Sequence, residues 1–219
     1  RHSRSRPSDT AHFPLPEGQA FGLAIVDLST GEFAATEGTG WSMLIGELQR
    51  LQPSEVVLPL HLAEDETWTS RLQAELDNEG QPFRLSSVPE AESQPEAGAR
   101  RLLAHFHVAT LESSGGDSHP LAIAAAGAAL FYLQQNQISE LAHLRALTTY
   151  SLADYVSLDA TTRRNLELTQ TWREGRYAGS LLSVLDVTET AMGARLLRRW
   201  IQQPLRDVDA IRSRLDAVS

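Results

Sequence analysis

The densest basic cluster of the chain is formed by Arg195, Arg198 and Arg199. Guanidinium groups at this spacing suit contacts with phosphate, so nucleic-acid binding is one interpretation. The alternative is a solvated helix face whose arginines pair with nearby acids such as Asp207. No aromatic residues are interleaved with these arginines, as they are in surfaces that stack single-stranded bases. The solvated face is therefore the favoured interpretation.

A second polar group interrupts an otherwise apolar stretch. Arg163, Arg164 and Asn165 occur within LDATTRRNLEL, which spans 158–168 and otherwise has the pattern of an apolar helix start. Three interpretations are open at this point: a nucleic-acid contact, part of a catalytic site, or structural hydrogen-bonding groups.

Carboxylates near the start of the chain are the next candidates for chemistry. Asp27 lies near the end of an apolar run and precedes the turn residues Ser29–Gly31. Ribonuclease-H-like nucleases place a metal-binding carboxylate on a first strand of this kind, and two-metal cleavage needs several converging carboxylates. Glu32, Glu47 and Glu55 are the nearby acids, and their spacing is not diagnostic. A metal-dependent nuclease using Asp27 is one hypothesis, and a turn or capping role for Asp27 is favoured over it.

The histidines offer a weaker metal hypothesis. His105 and His107 share a face only on an extended segment, where His119 would be a third ligand. On a helix, residues two apart do not face each other, so surface histidines are favoured. Ser, His and Asp all occur, but no nucleophile elbow does, so no hydrolase triad is predicted. The sequence therefore predicts no catalytic, cofactor-binding or metal residue.

Composition excludes further kinds of chemistry. All 19 Lys and Arg positions are Arg, and without Lys the chain forms neither a Walker A loop nor a Schiff base. Cys is absent too, which excludes disulfides and thiol catalysis and agrees with a cytoplasmic protein. The net charge is −9; residues 1–135 hold 8 Arg against 18 acids, and residues 136–219 hold 11 against 10. The acidic first part is a poor surface for nucleic acid.

The elements that must position these residues alternate between β and α patterns in the first part, which predicts an α/β layered domain. Residues 90–98 are predicted to be a polar segment broken by Pro89 and Pro95. A domain boundary is predicted near 136, where a polar run and a change in charge balance coincide. The pattern predicts a hairpin over 21–36, strands at 55–59 and 83–88, and helices at 41–51, 68–76, 99–106 and 121–135.

The second part is predicted to be mainly helical after two short β runs, at 147–150 and 155–158. One helix is capped by Thr188 or Thr190 and another by Asp207. Each has an apolar stripe, which predicts a buried face. The stripes are Met192, Leu196, Leu197, Trp200 and Ile201 in the first helix, and Val208, Ile211, Leu215 and Val218 in the second.

Two stretches resemble the opening of the core, or lever, domain of the MutS family of DNA mismatch-repair proteins: LDATTRRNLELTQT at 158–171 and GSLLSVLDVTETAMGARLLRRWIQQPLRDVDAIRSRLDAV at 179–218. FGLAIVDLSTGEF at 21–33 is similar to the first hairpin of the MutS connector domain. LQRLQPSEVVLP at 48–59 and PLAIAAAGAALFYLQQNQ at 120–137 resemble later connector elements in the expected order. The resemblance covers the chain from about residue 20 to its end.

The resemblance implies a ribonuclease-H-like α/β connector domain followed by a mainly α-helical partial core domain. The implied divisions are 1–16 as a disordered tail or linker, 17–135 as the connector and 136–219 as the N-terminal part of the core. In the family, the connector joins the mismatch-reading domain to the core and relays between the DNA-binding and ATPase ends. It also offers a surface to the partner MutL.

The sequence also departs from the complete family pattern. No Phe is followed at +2 by Glu, so the mismatch wedge is missing, and the ATPase with its Walker A Lys is missing too. The resemblance therefore implies a fragment that is not itself an enzyme, with ATP and Mg²⁺ as cofactors of the parent protein. The parent is expected to be a cytoplasmic homodimer that binds mismatched duplex DNA through its other domains.

A docking site for the MutL-type partner is predicted at Arg100 and Arg101. They are adjacent cations on a short helix of an acidic domain, and long exposed Arg side chains can anchor interfaces. The alternative is a solvated helix end.

The resemblance implies that the stretch at 158–168 begins the core domain. It therefore predicts hydrogen bonds at the seam with neighbouring elements from Asp159, Arg163, Arg164 and Asn165. A buried Arg there needs a carboxylate or several carbonyl partners. The cap of this helix is expected from Asp159 or Thr161, and its inward-facing residues are Leu166 and Leu168.

Overall fold

A β-hairpin opens the fold, as the sequence predicts. Strand β1, Ala20–Asp27, pairs antiparallel with strand β2, Glu32–Thr39, in a register that places Ala20 opposite Thr39. Gly31 has a φ of 74° at the turn, a conformation that glycine adopts without strain. The structure is a computed structural model that describes residues 15–16, 18–76, 83–111, 118–136, 139–156, 158 and 160–218.

Helices and a second sheet follow the hairpin. Pro95, predicted to break a polar segment, is instead the first residue of a helix, because the missing N–H of proline costs nothing at that position. Strands β3 and β4 pair in parallel. In chain order the elements are α1 (Trp41–Leu51), β3 (Glu55–Pro59), α2 (Leu60–Ala63), α3 (Glu66–Leu76), β4 (Arg84–Val88), α4 (Pro95–Phe106) and α5 (Pro120–Gln135).

Two hydrophobic clusters hold these layers together. The first lies between the hairpin and helices α4 and α5, and Phe33, Leu102 and Leu130 are at its centre. The second lies between the other end of the hairpin and helices α1 and α3, where Trp41 packs edge-on against Trp68 with ring centroids 5.3 Å apart. Burial of this apolar surface supplies the main driving force for folding of the first part.

Helices α4 and α5 cross with their backbones in contact. A Cβ added to Gly127 would lie 2.1 Å from the Cα of Gly98, and one added to Gly98 would lie 2.5 Å from the carbonyl oxygen of Ile123. Helix α5 is equally close to β1, because a Cβ on Gly22 would lie 2.0 Å from the carbonyl oxygen of Leu121. Only glycine fits at these crossings.

The chain after α5 returns to the first sheet. Strand β5, Thr148–Thr149, pairs in parallel with β2 at Ala34 and Ala35, which confirms the first predicted β run. Leu144 and Leu147 are buried in the cluster beneath it. Of the second predicted β run, the structure describes only an antiparallel bridge between Tyr155 and Leu205.

The rest of the described chain contains four α-helices joined by turns and loops. Ser180, Thr190 and Asp207 cap three of them, each side chain accepting a hydrogen bond from a backbone N–H of the first turn, and the Thr190 and Asp207 caps were predicted. The helices are α6 (Ala160–Asn165), α7 (Leu181–Leu185), α8 (Ala191–Gln202) and α9 (Val208–Asp216).

The predicted burial of the α8 and α9 stripes is wrong. Within these two helices, which the structure describes in full, no residue is buried; Met192 is 78% exposed and Leu215 is 62% exposed. An amphipathic helix gains stability from its apolar face only when another element covers that face, and here the cover is partial. In α8, Leu197 and Ile201 are half-buried, and the guanidinium of Arg214 in α9 lies 4.3 Å from the ring centroid of Trp200.

The first part is thus a mixed α/β layer structure with two described sheets, ordered β1-β2-β5 and β3-β4. The narrower ribonuclease-H-like fold stays a prediction. Among the described ranges, no helix combines the length and apolar character needed to cross a membrane.

Candidate functional site

A buried ionic cluster lies where the two parts of the chain meet. Glu47, on the inner side of α1, is 5% exposed. Its Oε2 accepts a hydrogen bond of 2.9 Å from Arg50 Nε, and its Oε1 accepts one of 2.6 Å from Arg50 Nη2. The hydroxyl of Tyr150 donates to the same Oε1 over 2.7 Å. We call Glu47, Arg50 and Tyr150 the joint cluster. The carboxylate is tolerated there because it is paired and fully hydrogen-bonded.

Ionisation within the joint cluster follows from its burial. Burial, and then the charge and hydrogen bond of Glu47, raise the pKa of Tyr150 well above its ordinary value. Burial by itself lowers the pKa of Arg50, but the hydrogen bonds and charge of Glu47 outweigh it and raise that pKa. Arg50 is therefore a guanidinium and Tyr150 a neutral phenol, which acts as the hydrogen-bond donor to Glu47.

Residues 150–156, which we call the crossing segment, are hydrogen-bonded on both sides. Toward the first sheet, Tyr150 N donates to Ala35 O over 3.1 Å, and Thr36 Oγ1 donates to Tyr150 O over 2.7 Å. Toward the second part, Val156 N donates to Pro204 O over 2.8 Å, and the backbone N–H of Arg206 donates to Asp154 O over 3.0 Å. The crossing segment is therefore fixed to the hairpin and to the end of α8 at once.

Helix α6 reaches the same side of α1. Nη1 of Arg163 donates to the carbonyl oxygen of Gly46 over 2.7 Å, one residue before the carboxylate of the joint cluster. Arg164 is partly buried and Asn165 is exposed. Asp159, the fourth residue predicted at the seam, lies outside the described residues.

The predicted inward orientation of Leu166 is wrong, whereas that of Leu168 is confirmed. Leu166 is 53% exposed and Leu168 is 9% exposed. Helix α6 ends at Asn165, and Glu167 has a φ of 46°, so the chain turns and the helical spacing no longer decides which side chains face inward.

Arg100 and Arg101 lie in different environments. Arg101 pairs with Glu92, donates to Gly127 O over 3.4 Å and places its guanidinium 4.7 Å from the ring centroid of Phe131. Its side chain is only 17% exposed. Arg100 is exposed beside a shallow cavity of about 430 Å³. The description of a long exposed anchor therefore fits Arg100 and does not fit Arg101.

The three arginines of α8 have different neighbours. Arg195 Nε donates to Ala191 O of its own helix over 3.1 Å. Arg199 Nη1 lies 3.2 Å from Oε1 of Glu32, at the start of β2. Arg198 lies near Asp186, whose pKa is lowered first by hydrogen bonds from Thr188 and last by the charge of Arg198. The predicted acidic partner Asp207 instead caps α9, accepting from Ala210 N over 2.7 Å.

Asp27 serves the hairpin turn. Its Oδ1 accepts from Ser29 N over 2.9 Å, from Ser29 Oγ over 2.6 Å and from Thr30 N over 3.3 Å. The hydrogen bond from the Ser29 side chain is the main cause that lowers the pKa of Asp27. Among the described residues, no three His, Asp or Glu side chains are placed to hold a metal ion. The turn role favoured by the sequence is what the geometry supports, and the nuclease alternative has no supporting observation.

The remaining candidate ligands have structural partners. Oε1 of Glu55 accepts from Tyr132 OH over 2.6 Å and from Ser86 Oγ over 2.5 Å, which ties the second sheet to α5. Nε2 of His105 lies 3.1 Å from Leu144 O. His107 has a left-handed backbone conformation at the end of α4, so the two histidines do not share an extended segment.

Comparison with known proteins accounts for both parts of the chain. A family model described as MutS domain II matches residues 8–145, and one described as MutS domain III matches residues 161–219. The chain belongs to the MutS family. The resemblance inferred from the sequence is thereby confirmed.

Several relatives of this MutS chain are close in sequence. It is 45% identical over 206 residues to the DNA mismatch repair protein MutS of Thermosynechococcus vestitus, covering 92% of this chain and 24% of that protein. It is 46% identical to MutS of Trichodesmium erythraeum and 45% identical to that of Symbiobacterium thermophilum; each match covers 90% of this chain and 22% of the relative. The chain therefore spans about a quarter of the length of these relatives.

The sequence did not reveal the joint cluster of this MutS chain. In the sequence Glu47 is a candidate only as a metal-binding acid, and no local pattern marks Tyr150. One signal was present: Glu47 and Arg50 are three residues apart on a helix, and Glu47 adjoins an apolar stripe. The spacing predicts an ion pair, but the burial of Glu47 depends on Tyr150, which is 103 residues away.

Proposed function

We propose that this chain is the connector and the first part of the core of a MutS-type mismatch-repair protein, and that it relays between the mismatch-binding and ATPase domains of that protein. The joint cluster and the crossing segment are the observation that carries the proposal. They bond one stretch of backbone to the first sheet and to the end of α8, so a change in the placement of either part acts on the other.

The relay is tested in the full-length parent protein by replacing Tyr150 with Phe. The substitution removes the hydrogen bond to Glu47 and keeps the ring in place. If the joint transmits a coupling free energy of ~1–3 kcal/mol, the effect of mismatched DNA on ATP turnover falls several-fold. Tyr155→Phe is the matched control, since the Tyr155 hydroxyl has no hydrogen bond within the described part of the chain. If Tyr150→Phe lowers the stability of the protein but leaves the effect of mismatched DNA on ATP turnover unchanged, the relay is contradicted.

A MutL-type partner is proposed to dock on α4 through Arg100. The side chain is exposed and borders a shallow cavity that Ala97, Ala104 and Gln134 also line. Arg100→Ala is expected to weaken partner binding to the full-length protein, and Arg84→Ala, an exposed arginine on β4, is the matched control. Equal binding by both variants removes Arg100 from the interface. Arg101→Ala is a poorer test because Arg101 stabilises the domain from within.

The other functional expectations also belong to the parent. We propose that it is a cytoplasmic homodimeric ATPase that uses ATP and Mg²⁺ and binds mismatched duplex DNA outside this chain, and that this chain itself has no catalytic activity. The ribonuclease-H-like fold and the division into 17–135 and 136–219 are likewise proposals. Strand β5 follows residue 136 and still pairs with β2 of the first part. This pairing favours a gradual boundary that extends from residue 136 to the crossing segment.

A further inference from the structure

A second polar site lies beside the joint, between the start of β2, the chain at 143–150 and helix α8. It is a cleft of about 470 Å³. Its charged lining residues are Glu32, Arg145 and Arg199, and His143 adds a further nitrogen donor. The cleft is distinct from the cavity at Arg100, which lies against α4.

The charge of this cleft differs from that of the chain as a whole. The chain carries a net charge of −9, yet two guanidinium groups line the cleft. Of the described residues that line it, Glu32 alone is acidic. Two guanidinium groups outnumber the one carboxylate and give the lining an excess of positive charge, so this cleft attracts anions more strongly than the net charge of the chain suggests.

The one acid in the cleft is weakly held. A single contact of 3.2 Å joins Nη1 of Arg199 to Oε1 of Glu32, and the two side chains are 45% and 44% exposed. An exposed ion pair of this kind contributes little to stability. A guanidinium has five N–H donors in a fixed planar arrangement, so this contact leaves most of the donor capacity of Arg199 available to another anion.

We propose that this cleft binds a phosphate group, with Arg145 and Arg199 as its donors and Glu32 as the internal anion that it displaces. Guanidinium groups bind phosphate in bidentate fashion, and two of them supply enough N–H donors for several phosphate oxygens. The phosphate comes either from a small phosphorylated molecule or from a nucleic-acid backbone. Binding breaks the ion pair between α8 and β2, so occupancy of the cleft loosens one of the contacts between the two parts of the chain.

The test uses the 219-residue chain and the side-chain Nε–Hε signals of arginine in two-dimensional NMR. Pyrophosphate is added at constant ionic strength, with sodium chloride as the reference. Saturable shifts of the Arg145 and Arg199 signals are expected. Arg145→Ala and Arg199→Ala are each expected to weaken binding roughly tenfold, as removal of a charge-assisted hydrogen-bonding group does. Arg195→Ala, on the same helix and outside the cleft, is expected to leave it unchanged.

Glu32→Gln distinguishes a phosphate site from a purely structural ion pair, because only a phosphate site predicts tighter pyrophosphate binding when the carboxylate is removed. Removing the competing carboxylate is expected to tighten pyrophosphate binding roughly two- to fivefold, the equivalent of one exposed ion pair. A short matched DNA duplex is added in a second arm. Competition with pyrophosphate identifies a nucleic-acid backbone as a source of the phosphate. Saturable pyrophosphate binding without such competition excludes the duplex backbone and leaves a small phosphorylated molecule as the proposed source.

Three results overturn the proposal: shifts that rise linearly without saturation, equal losses in Arg195→Ala and Arg199→Ala, or weaker binding by Glu32→Gln. Thermal unfolding of every variant is measured first. A variant that fails to fold is replaced by Arg145→Gln or Arg199→Gln, which keep much of the side chain and remove the charge. These outcomes do not depend on the relay, because binding is measured directly.

Discussion

The hydroxyl of Tyr150 lies 2.7 Å from Oε1 of Glu47, a residue 103 positions earlier in the chain. The same carboxylate receives two hydrogen bonds from Arg50. A hydrogen bond between residues so distant in sequence closes a long loop, and it forms only when the crossing segment is in place on α1. It therefore reports whether the two parts of the chain are correctly joined.

The first prediction concerns the strength of this hydrogen bond. Tyr150→Phe removes the donor to a buried carboxylate, and hydrogen bonds to charged groups are worth about 1.5–3 kcal/mol. We expect the free energy of unfolding of the isolated chain, measured by urea titration, to fall by about that amount. Tyr155→Phe is expected to change it by less than about 0.5 kcal/mol. Equal losses in the two variants mean that the Glu47 contact contributes nothing specific.

A second prediction follows from the raised pKa of Tyr150. Above the ordinary tyrosine pKa of about 10, the unfolded chain loses this proton while the folded chain keeps it. The unfolded state then binds fewer protons, so stability falls as pH rises. Tyr150 is expected to contribute a loss of about 1 kcal/mol for each pH unit above 10. Urea titrations at pH 9 and pH 11 measure it, and the extra loss should vanish in Tyr150→Phe.

The glycine contact between α4 and α5 gives a third prediction, in which Gly→Ala lowers stability at the contact and raises it at a glycine elsewhere. Gly127→Ala places a Cβ 2.1 Å from the Cα of Gly98, so the helices must separate and the variant is expected to lose roughly 3 kcal/mol or more. Gly46→Ala on α1 meets no atom within 4 Å and is expected to gain about 0.5–1 kcal/mol. Thermal unfolding of both variants distinguishes them, and a stable Gly127→Ala protein contradicts the observed crossing.

A fourth prediction concerns the bond from Arg163 to the carbonyl oxygen of Gly46. Arg163→Ala removes the donor, so the free energy needed to detach α6 from α1 is expected to fall by about 1–2 kcal/mol. Hydrogen exchange should become faster in residues 160–165 and stay unchanged in the hairpin. Arg173→Ala, at an exposed position, is the control. Unchanged exchange at 160–165 shows that Arg163 does not hold α6.

Exposed apolar side chains at and just before the start of α8 give a fifth prediction. Val187 is 88% exposed and Met192 is 78% exposed, and large exposed apolar side chains favour association. The isolated chain is expected to self-associate as its concentration rises. Val187→Gln combined with Met192→Gln should reduce association, seen by light scattering, and change the free energy of unfolding by less than about 0.5 kcal/mol. A large loss of stability in this variant means that these side chains are covered within the chain.

The sequence predicted the local elements well because their signals are local. The hairpin around Ser29–Gly31, the apolar spacing of α1 and the caps at Thr190 and Asp207 each depend on residues a few positions apart. Pro95 shows the limit of such signals. A proline excludes the interior of a helix but suits its first turn, and only the following residues decide between the two.

The joint cluster and the phosphate cleft were not predictable in the same way. Glu32 and Arg199 are 167 residues apart, and no local pattern in the sequence links them. The α8 stripe was predicted to be buried because amphipathic spacing shows which face is apolar and does not show what covers it. Side chains that meet through tertiary contacts carry no periodic signal of their own.

The backbone contact among β1, α5 and α4 has a mechanical consequence. At Gly22, Gly98 and Gly127 the main chains touch without intervening side chains. Side-chain rotamers usually absorb small shifts between packed elements, and at these three crossings no side chain lies between the main chains to do so. A push on the outer face of α4, where Arg100 lies, is therefore expected to move α5 and the hairpin by nearly the same distance. Strand β1 and helices α4 and α5 should therefore move together as one rigid unit, with flexibility confined to its edges.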